Sequence, residues 1–340
     1  FQNPEMRLIL PWICLASGLF ERARAQKPSA DLILQRILND SYDARVRPSA
    51  ADEKGNVVPV AVEVNIMIRS LEKVDVVSMR YDLQIMLRQF WKDPRLAYGN
   101  INPDAPPSIS ISDRDAIWKP DTYFQNERHT HRHGDVLIRI SPDGSVKYSE
   151  RLTVTLACPM HLEMFPLDVQ ECPLELASFG HSDKDIVYKW GSADPVLLKD
   201  GVGETLPSIH LDGLRTSEYT SRTNTGSYTI LRVSFHLKRM IRHYIMQVFI
   251  PSAMLVIVSW VSFWLDRTFA SARVGLGIST LLTLTVCSAA LNSHLPPVNY
   301  IKALDVWIGV SLSFIFASLA EYALVCFKAE QQGRKGETYR

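Results

Sequence analysis

Two arginines are placed to recognise a small anion. Arg69 follows the alternating run Val62, Val64, Ile66, Ile68, and Arg88 follows Tyr81, Leu83, Ile85, Leu87. Side chains of a strand alternate between its faces, so both guanidiniums point away from the apolar set, toward ligand or solvent. Two such forks suit a carboxylate, which each can grip through charge-assisted hydrogen bonds. His129, His131 and His133 alternate in the same way and share a strand face, where imidazoles are either solvated or bind metal or protons. Enzyme chemistry has no comparable residue set: the chain shows no Gly-rich phosphate loop and no nucleophile–base spacing. The histidine run also lacks the carboxylate or cysteine of a catalytic metal site. No cofactor is expected. With 37 basic against 36 acidic residues and a formal charge of +1, there is no footprint for nucleic acid.

These groups need a rigid frame, and the period-two pattern supplies one. Further alternating runs cover 136–140, 146–156 and 228–237, divided by turn residues such as Pro142-Asp143-Gly144. The pattern predicts an extracellular antiparallel β-sandwich of about 200 residues. Ahead of it, residues 1–5 precede Met6-Arg7, an apolar run over 8–16 and a small-residue stop at Ala23-Arg24-Ala25. That order reads as a secretory signal within 1–25. A helical pattern over 31–38 then leads to the sequon Asn39-Asp40-Ser41, a glycosylation candidate. In an oxidising compartment Cys158 and Cys172 are expected to pair, and closing their loop contributes roughly 3 kcal/mol.

The last third of the chain is a different material. Apolar blocks at 244–265, 274–291 and 306–327 each approach the ~20 residues that cross a bilayer. The first contains Pro251, and the second is laced with Ser279, Thr280, Thr283, Thr285 and Ser288, a poor lipid-facing surface and a plausible water-facing one. Gly275, Ser279, Leu282, Val286 and Ala289 recur at helical spacing on one face of that block. The division expected is an extracellular domain over 26–240, membrane helices over 241–327 and the start of a cytoplasmic loop over 328–340. Arg267 and Arg273 on one side, and Lys328, Arg334, Lys335 and Arg340 on the other, then mark the cytoplasmic ends.

The segment from Cys158 to Cys172, with Phe165-Pro166-Leu167-Asp168 at its centre, closely resembles the loop that names the Cys-loop family of pentameric ligand-gated ion channels. Trp118-Lys119-Pro120-Asp121, Ile250-Pro251-Ser252 and Leu295-Pro296-Pro297-Val298 extend the resemblance over about residues 31–327. It implies a homo- or hetero-pentamer in the plasma membrane, at a postsynaptic site, with transmitter bound between neighbouring extracellular domains. It also implies that the second membrane helix lines the pore, Leu282 forming an apolar constriction and Ser279 a polar ring below it. Phe165, Pro166, Asp168, Pro296 and Pro297 fall where the family couples its two domains. The family has a fourth membrane helix; this chain ends at Arg340 after the third, as a fragment or a truncated, non-conducting or modulatory subunit would.

Within the family, Ser271-Ala272-Arg273 resembles the Pro-Ala-Arg triplet of the anion-selective branch, because Ala272 stands where cation channels carry Glu; chloride is the implied ion. Arg69, Arg88 and Ser149 match the ligand residues of glutamate-gated chloride channels on the complementary subunit, and Thr225 and Tyr228 match their closing loop. Phe179 stands where an aromatic ring faces the ligand amine and is more like glycine receptors. Arg69 favours glutamate over glycine, which has no second carboxylate for it; glycine, GABA and amines remain the competing agonists. Ile230 occupies the downstream cysteine position of a second disulfide common in both groups. His131 and His133 match a zinc-inhibitory pair of glycine receptors, and Gly309 a small residue at the site of macrocyclic lactones.

Overall fold

A computed structural model describes residues 30–38, 42–51, 57–100, 106–203, 206, 208–266 and 268–337. The expected signal segment, the sequon at Asn39 and Arg267 lie outside the described residues. A short helix α1 (Ala30–Ile37) precedes a β domain whose strands are β1 (Ala50–Ala51), β2 (Val57–Val58), β3 (Val60–Asp75), β4 (Arg80–Lys92), β5 (Ile109–Ile111), β6 (Thr122–Phe124), β7 (Glu127–Ile140), β8 (Ser145–Ala157), β9 (Val169–Ser178), β10 (Ile186–Trp190), β11 (Val196–Leu198), β12 (Ile209–Thr223) and β13 (Gly226–Arg239). The strands form one large sheet in the order β10-β3-β4-β8-β7-β5, with β11 also on β3, and a second sheet in the order β12-β13-β9-β6.

The predicted alternation is what closes the sandwich. Val62, Val64, Ile66 and Ile68 of β3 and Tyr81, Leu83, Ile85 and Leu87 of β4 are all buried in one core, each contributing about 1.5–3 kcal/mol of burial. Tyr81 keeps its polar end satisfied by donating to the carbonyl of Pro173 at 2.6 Å, and burial pushes its phenol well above the ordinary value. The sandwich departs from the antiparallel expectation at one edge: β10 and β11 both run parallel to β3. A parallel partner arrives by a long crossover rather than a hairpin, so nothing in the alternation of the strand itself marks it.

Three helices follow: α2 (Arg242–Trp264), α3 (Ala270–Asn292) and α4 (Ala303–Glu337). All three are long and apolar enough to cross a membrane. In α2 a π-helical turn occupies Ile245–Phe249, immediately before Pro251. Proline lacks an N–H and its ring crowds the carbonyl four residues earlier, so the backbone widens there instead of breaking. Helix α4 has 35 residues and outlasts the apolar block at 306–327. Hydropathy tracks bilayer thickness, whereas the Ala-, Glu- and Gln-containing extension carries on as helix by propensity.

The hydroxyls of α3 do not form a single wet stripe. Thr280 is buried, and Thr280, Thr283 and Thr285 each donate to a carbonyl one turn back at 2.8–3.0 Å. Back-bonding satisfies them inside the helix, so they tolerate apolar surroundings. The tightest helix contact is at Gly277, where an added Cβ would overlap the side chain of Leu319 on α4. Gly277→Val is therefore expected to destabilise the bundle by about 1–3 kcal/mol and to lower the thermal unfolding midpoint of the purified protein. Gly275→Ala, which meets nothing within 4 Å in the subunit, leaves that midpoint unchanged.

Candidate ligand groove and coupling interface

On the outer face of the large sheet the register sets Arg88 directly opposite Ser149, on adjacent strands β4 and β8. Arg69 sits at a bulge in β3, between the pairs Ile68–Ile85 and Ser70–Gln84. The three residues line one open groove of about 400 Å³, together with Met86, Leu137 and Arg151. Among the described residues the hydrogen-bond partners of the Arg88 guanidinium are two sulfurs, those of Met86 at 3.6 Å and Met67 at 3.9 Å, which are weak acceptors. The Nε atoms of Arg69 and Arg151 are buried without a hydrogen-bond partner among the described residues. A buried, unmatched guanidinium N–H is costly, and an anion in the groove removes the cost. Arg151 carries no motif of its own in the sequence, although its place two residues beyond Ser149 puts it on the same strand face.

Phe179, Thr225 and Tyr228 lie elsewhere, on the smaller sheet and its loops, and none of them lines the groove. The Phe179 ring is 77% exposed and meets Tyr123 edge-on at 5.7 Å. Its loop is fixed by Asp121 of the Trp-Lys-Pro-Asp motif: Ser178 Oγ and the Gly180 N–H each donate to the carboxylate at 2.6 Å, and the Phe179 N–H donates to the Asp121 carbonyl at 3.3 Å. At the tip of the β12–β13 hairpin the hydroxyls of Thr225 and Tyr228 are 3.0 Å apart. The Asp183 N–H donates to the carbonyl of Ser227 at 2.8 Å and ties the hairpin to the Phe179 loop.

The rings of His131 and His133 stand 5.0 Å apart, and His133 Nε2 is 2.8 Å from Thr153 Oγ1. Among the described residues no three His, Cys, Asp or Glu side chains converge as a metal site.

At the lower end of the sandwich Cys158 and Cys172 form the expected disulfide. The loop between them is built around Asp168, which takes a two-pronged bond from the buried Arg239, at 2.7 Å from Nε and 3.0 Å from Nη2. The same guanidinium lies over the Phe165 ring at 4.7 Å, and Phe165 meets Tyr244 of α2 edge-on at 5.2 Å. Three bonds from main-chain N–H groups then fasten the loop to the α3–α4 connection and the start of α4. The Leu162 N–H donates to the Tyr300 hydroxyl at 2.9 Å, the Ala303 N–H to the Glu163 carbonyl at 2.8 Å, and the Leu304 N–H to the Phe165 carbonyl at 3.2 Å. Pro166 and Pro296 are buried in this region and Pro297 is exposed. Tyr300 and Arg239 are contacts that sequence reasoning misses, since their partners are remote in the chain.

In the membrane helices Gly275, Ser279, Leu282, Val286 and Ala289 are all exposed, on the face of α3 turned away from the packed residues Gly277, Thr280 and Leu284. Ser271 and Ala272 are exposed as well. Arg273 is turned inward: it is 6% exposed, donates from Nε to the Ser262 carbonyl at 2.6 Å and stacks on Tyr322 of α4 at 5.0 Å. Gly309 is exposed on α4 with no atom near an added Cβ.

A β-sandwich docked through a disulfide loop onto membrane-spanning helices is the arrangement of a transmitter receptor and its channel in one chain. Residues 30–241 match the neurotransmitter-gated ion-channel ligand binding domain, and residues 248–339 match the neurotransmitter-gated ion-channel transmembrane region. The chain belongs to the neurotransmitter-gated ion channels, a class of receptors and not of enzymes. It is 46% identical over 308 residues to the glutamate-gated chloride channel subunit beta of Haemonchus contortus, covering 88% of this chain and 71% of that one. It is 41% identical over 313 residues to the glutamate-gated chloride channel of Drosophila melanogaster, covering 91% of this chain and 68% of that one.

The ion pair at the junction makes stability depend on pH. Burial raises the Asp168 carboxyl, but the bonds and charge of Arg239, with a bond from Gln170, outweigh it and hold the group below the usual carboxylate range. Its contribution is thus complete above the unfolded carboxylate range and is lost as pH falls through the lowered folded value. Asp168→Asn leaves Arg239 buried and unpaired, so unfolding should become easier by about 3–5 kcal/mol. Thermal unfolding at neutral pH measures that loss, and the variant should show a shallower fall in stability on acidification than the parent.

Proposed function

We propose that the chain is a subunit of a chloride channel opened by extracellular glutamate. The observation that carries this is the convergence of Arg69, Arg88 and Ser149 on one groove whose guanidiniums have no acidic partner among the described residues. The names of the two relatives support the same reading. Residues 26–240 form the extracellular domain, 241–327 the membrane helices and 328–340 the start of a cytoplasmic segment. Five subunits surround a pore in the plasma membrane, and the receptor acts at the postsynaptic side of a synapse.

The two separated residue sets then have one explanation. The groove of one subunit faces the Phe179 loop and hairpin tip of its neighbour, and the ligand bridges them. Arg69 and Arg88 take the carboxylates, with Ser149 as a hydroxyl donor. The ammonium lies over the Phe179 ring, a contact worth about 1–2 kcal/mol when desolvated, and Thr225 with Tyr228 closes over it. Strand β13 runs from that hairpin directly to Arg239, so closure pulls on the Asp168 pair and on the α3–α4 connection beneath it. Leu282 and Val286 give way as α3 moves, and chloride passes a mouth that has no carboxylate at Ser271-Ala272. Opening requires only that glutamate bind the open arrangement more tightly than the closed one. His131 and His133, with Thr153 beside them, provide for zinc or proton modulation, and the open space at Gly309 for a macrocyclic lactone.

Arg69→Ala and Arg88→Ala should each weaken glutamate by roughly 1.5–3 kcal/mol, the worth of a charged hydrogen bond. That is about a ten- to hundredfold rise in the half-maximal concentration, read from concentration–response curves on cells with equal surface protein. Responses equal to the parent's would remove the carboxylate-gripping role of the groove.

A further inference from the structure

The groove holds more positive charge than two carboxylates can use. Beside Arg69 and Arg88 it is lined by Arg139, Lys147 and Arg151, and none of the five cations forms an ion pair with a described residue. Its acidic lining is Asp135 and Glu150. The Glu150 carboxylate is already committed to Arg114 at 2.6 Å and Arg132 at 3.0 Å, and its side chain alternates with Ser149 and Arg151 toward the buried side of the sheet. The rim is therefore strongly cationic.

The strand register concentrates this charge. Arg139 on β7 and Lys147 on β8 are directly opposite one another, and the next pair on the same face is Leu137–Ser149. Like charges directly across an antiparallel pair are destabilising, and among the described residues no carboxylate forms an ion pair with either. Lys147 lies over the face of Phe90, 5.4 Å from Nζ. Two residues along a strand is about 7 Å, inside a Debye length of about 8 Å at physiological salt. The field of this pair therefore reaches the position of Ser149 only partly screened, and its strength there falls as salt is added.

We propose that Arg139 and Lys147, with Arg151 behind them, are capture residues: they draw an anionic agonist to the groove and speed its association without holding it once bound. A concave site walled by one sign of charge raises the local concentration of its counter-ion and the on-rate with it. Affinity then divides between two groups of residues, the rim setting how fast the agonist arrives and Arg69 and Arg88 how slowly it leaves. The capture role rests on the anionic agonist proposed above.

The test is rapid agonist application to the full receptor, comparing the parent with Arg139→Gln, Lys147→Gln and the double variant at two ionic strengths. At low glutamate the double variant should activate about three- to tenfold more slowly, with a flatter dependence on salt. Deactivation after agonist removal and the maximal current should match the parent. The charge-conserving Arg139→Lys should keep the parent's rates. Activation rates and salt dependence equal to the parent's in the double variant would overturn the proposal, as would slowed activation accompanied by faster deactivation, which marks direct contacts. The parent alone provides a second measurement should the double variant fail to reach the surface: its activation rate must fall with ionic strength while its deactivation rate does not. A parent that opens to glutamate with a salt-insensitive rate removes the capture role only, whereas one that ignores glutamate removes the agonist assignment along with it.

Discussion

The junction between the sandwich and the membrane helices depends on one buried ion pair. Arg239 is the last residue of β13, and Asp168 lies just before β9. Their two-pronged bond fixes the disulfide loop at the height where Phe165 can meet Tyr244 and where the loop's main chain can bind the α3–α4 connection. A buried pair of this kind adds little stability over a well-packed apolar substitute, but losing one partner is severe because the other is stranded. Its value is geometric: Arg239 cannot shift without carrying the loop along, so a strand that runs up to the ligand face is made rigidly continuous with the helices below.

The ligand groove is built on the opposite principle. At the junction Asp168 and Arg239 match one another, while in the groove Arg69, Arg88, Arg139, Lys147 and Arg151 have no acidic partner among the described residues. Local stability is given up there, including a like-charged cross-strand pair, and the deep core of the same sheet compensates for it. The buried, unpartnered Nε atoms of Arg69 and Arg151, together in one concave place, are what the proposed anion site rests on.

Much of the frame is legible in the sequence because alternation reports burial directly. Val62 to Ile68 and Tyr81 to Leu87 fall on the core face as the period requires, and the same reasoning puts Arg69 and Arg88 outside it. What stays hidden depends on contacts between distant parts of the chain. The parallel pairing of β10 and β11 with β3, the bracing of the Phe179 loop by Asp121, and the Tyr300–Leu162 bond all join residues that carry no local signal of their partners. From sequence Arg273 reads as a residue at the cytoplasmic end, beside the Ser271-Ala272 mouth; the fold turns it onto the end of α2 and onto Tyr322, a partner about fifty residues away. The two residue sets of the proposed ligand site are legible as residue types, but their separation on one subunit emerges only in three dimensions.

The central claim is that a carboxylate ligand on this groove opens an anion pore. Voltage-clamp recording from cells expressing the chain, with glutamate applied while external chloride is varied, tests it most directly. The account predicts a glutamate-evoked current whose reversal potential follows the chloride equilibrium potential. A glutamate current whose reversal ignores chloride, or surface protein that opens to an amine and not to glutamate, would contradict it.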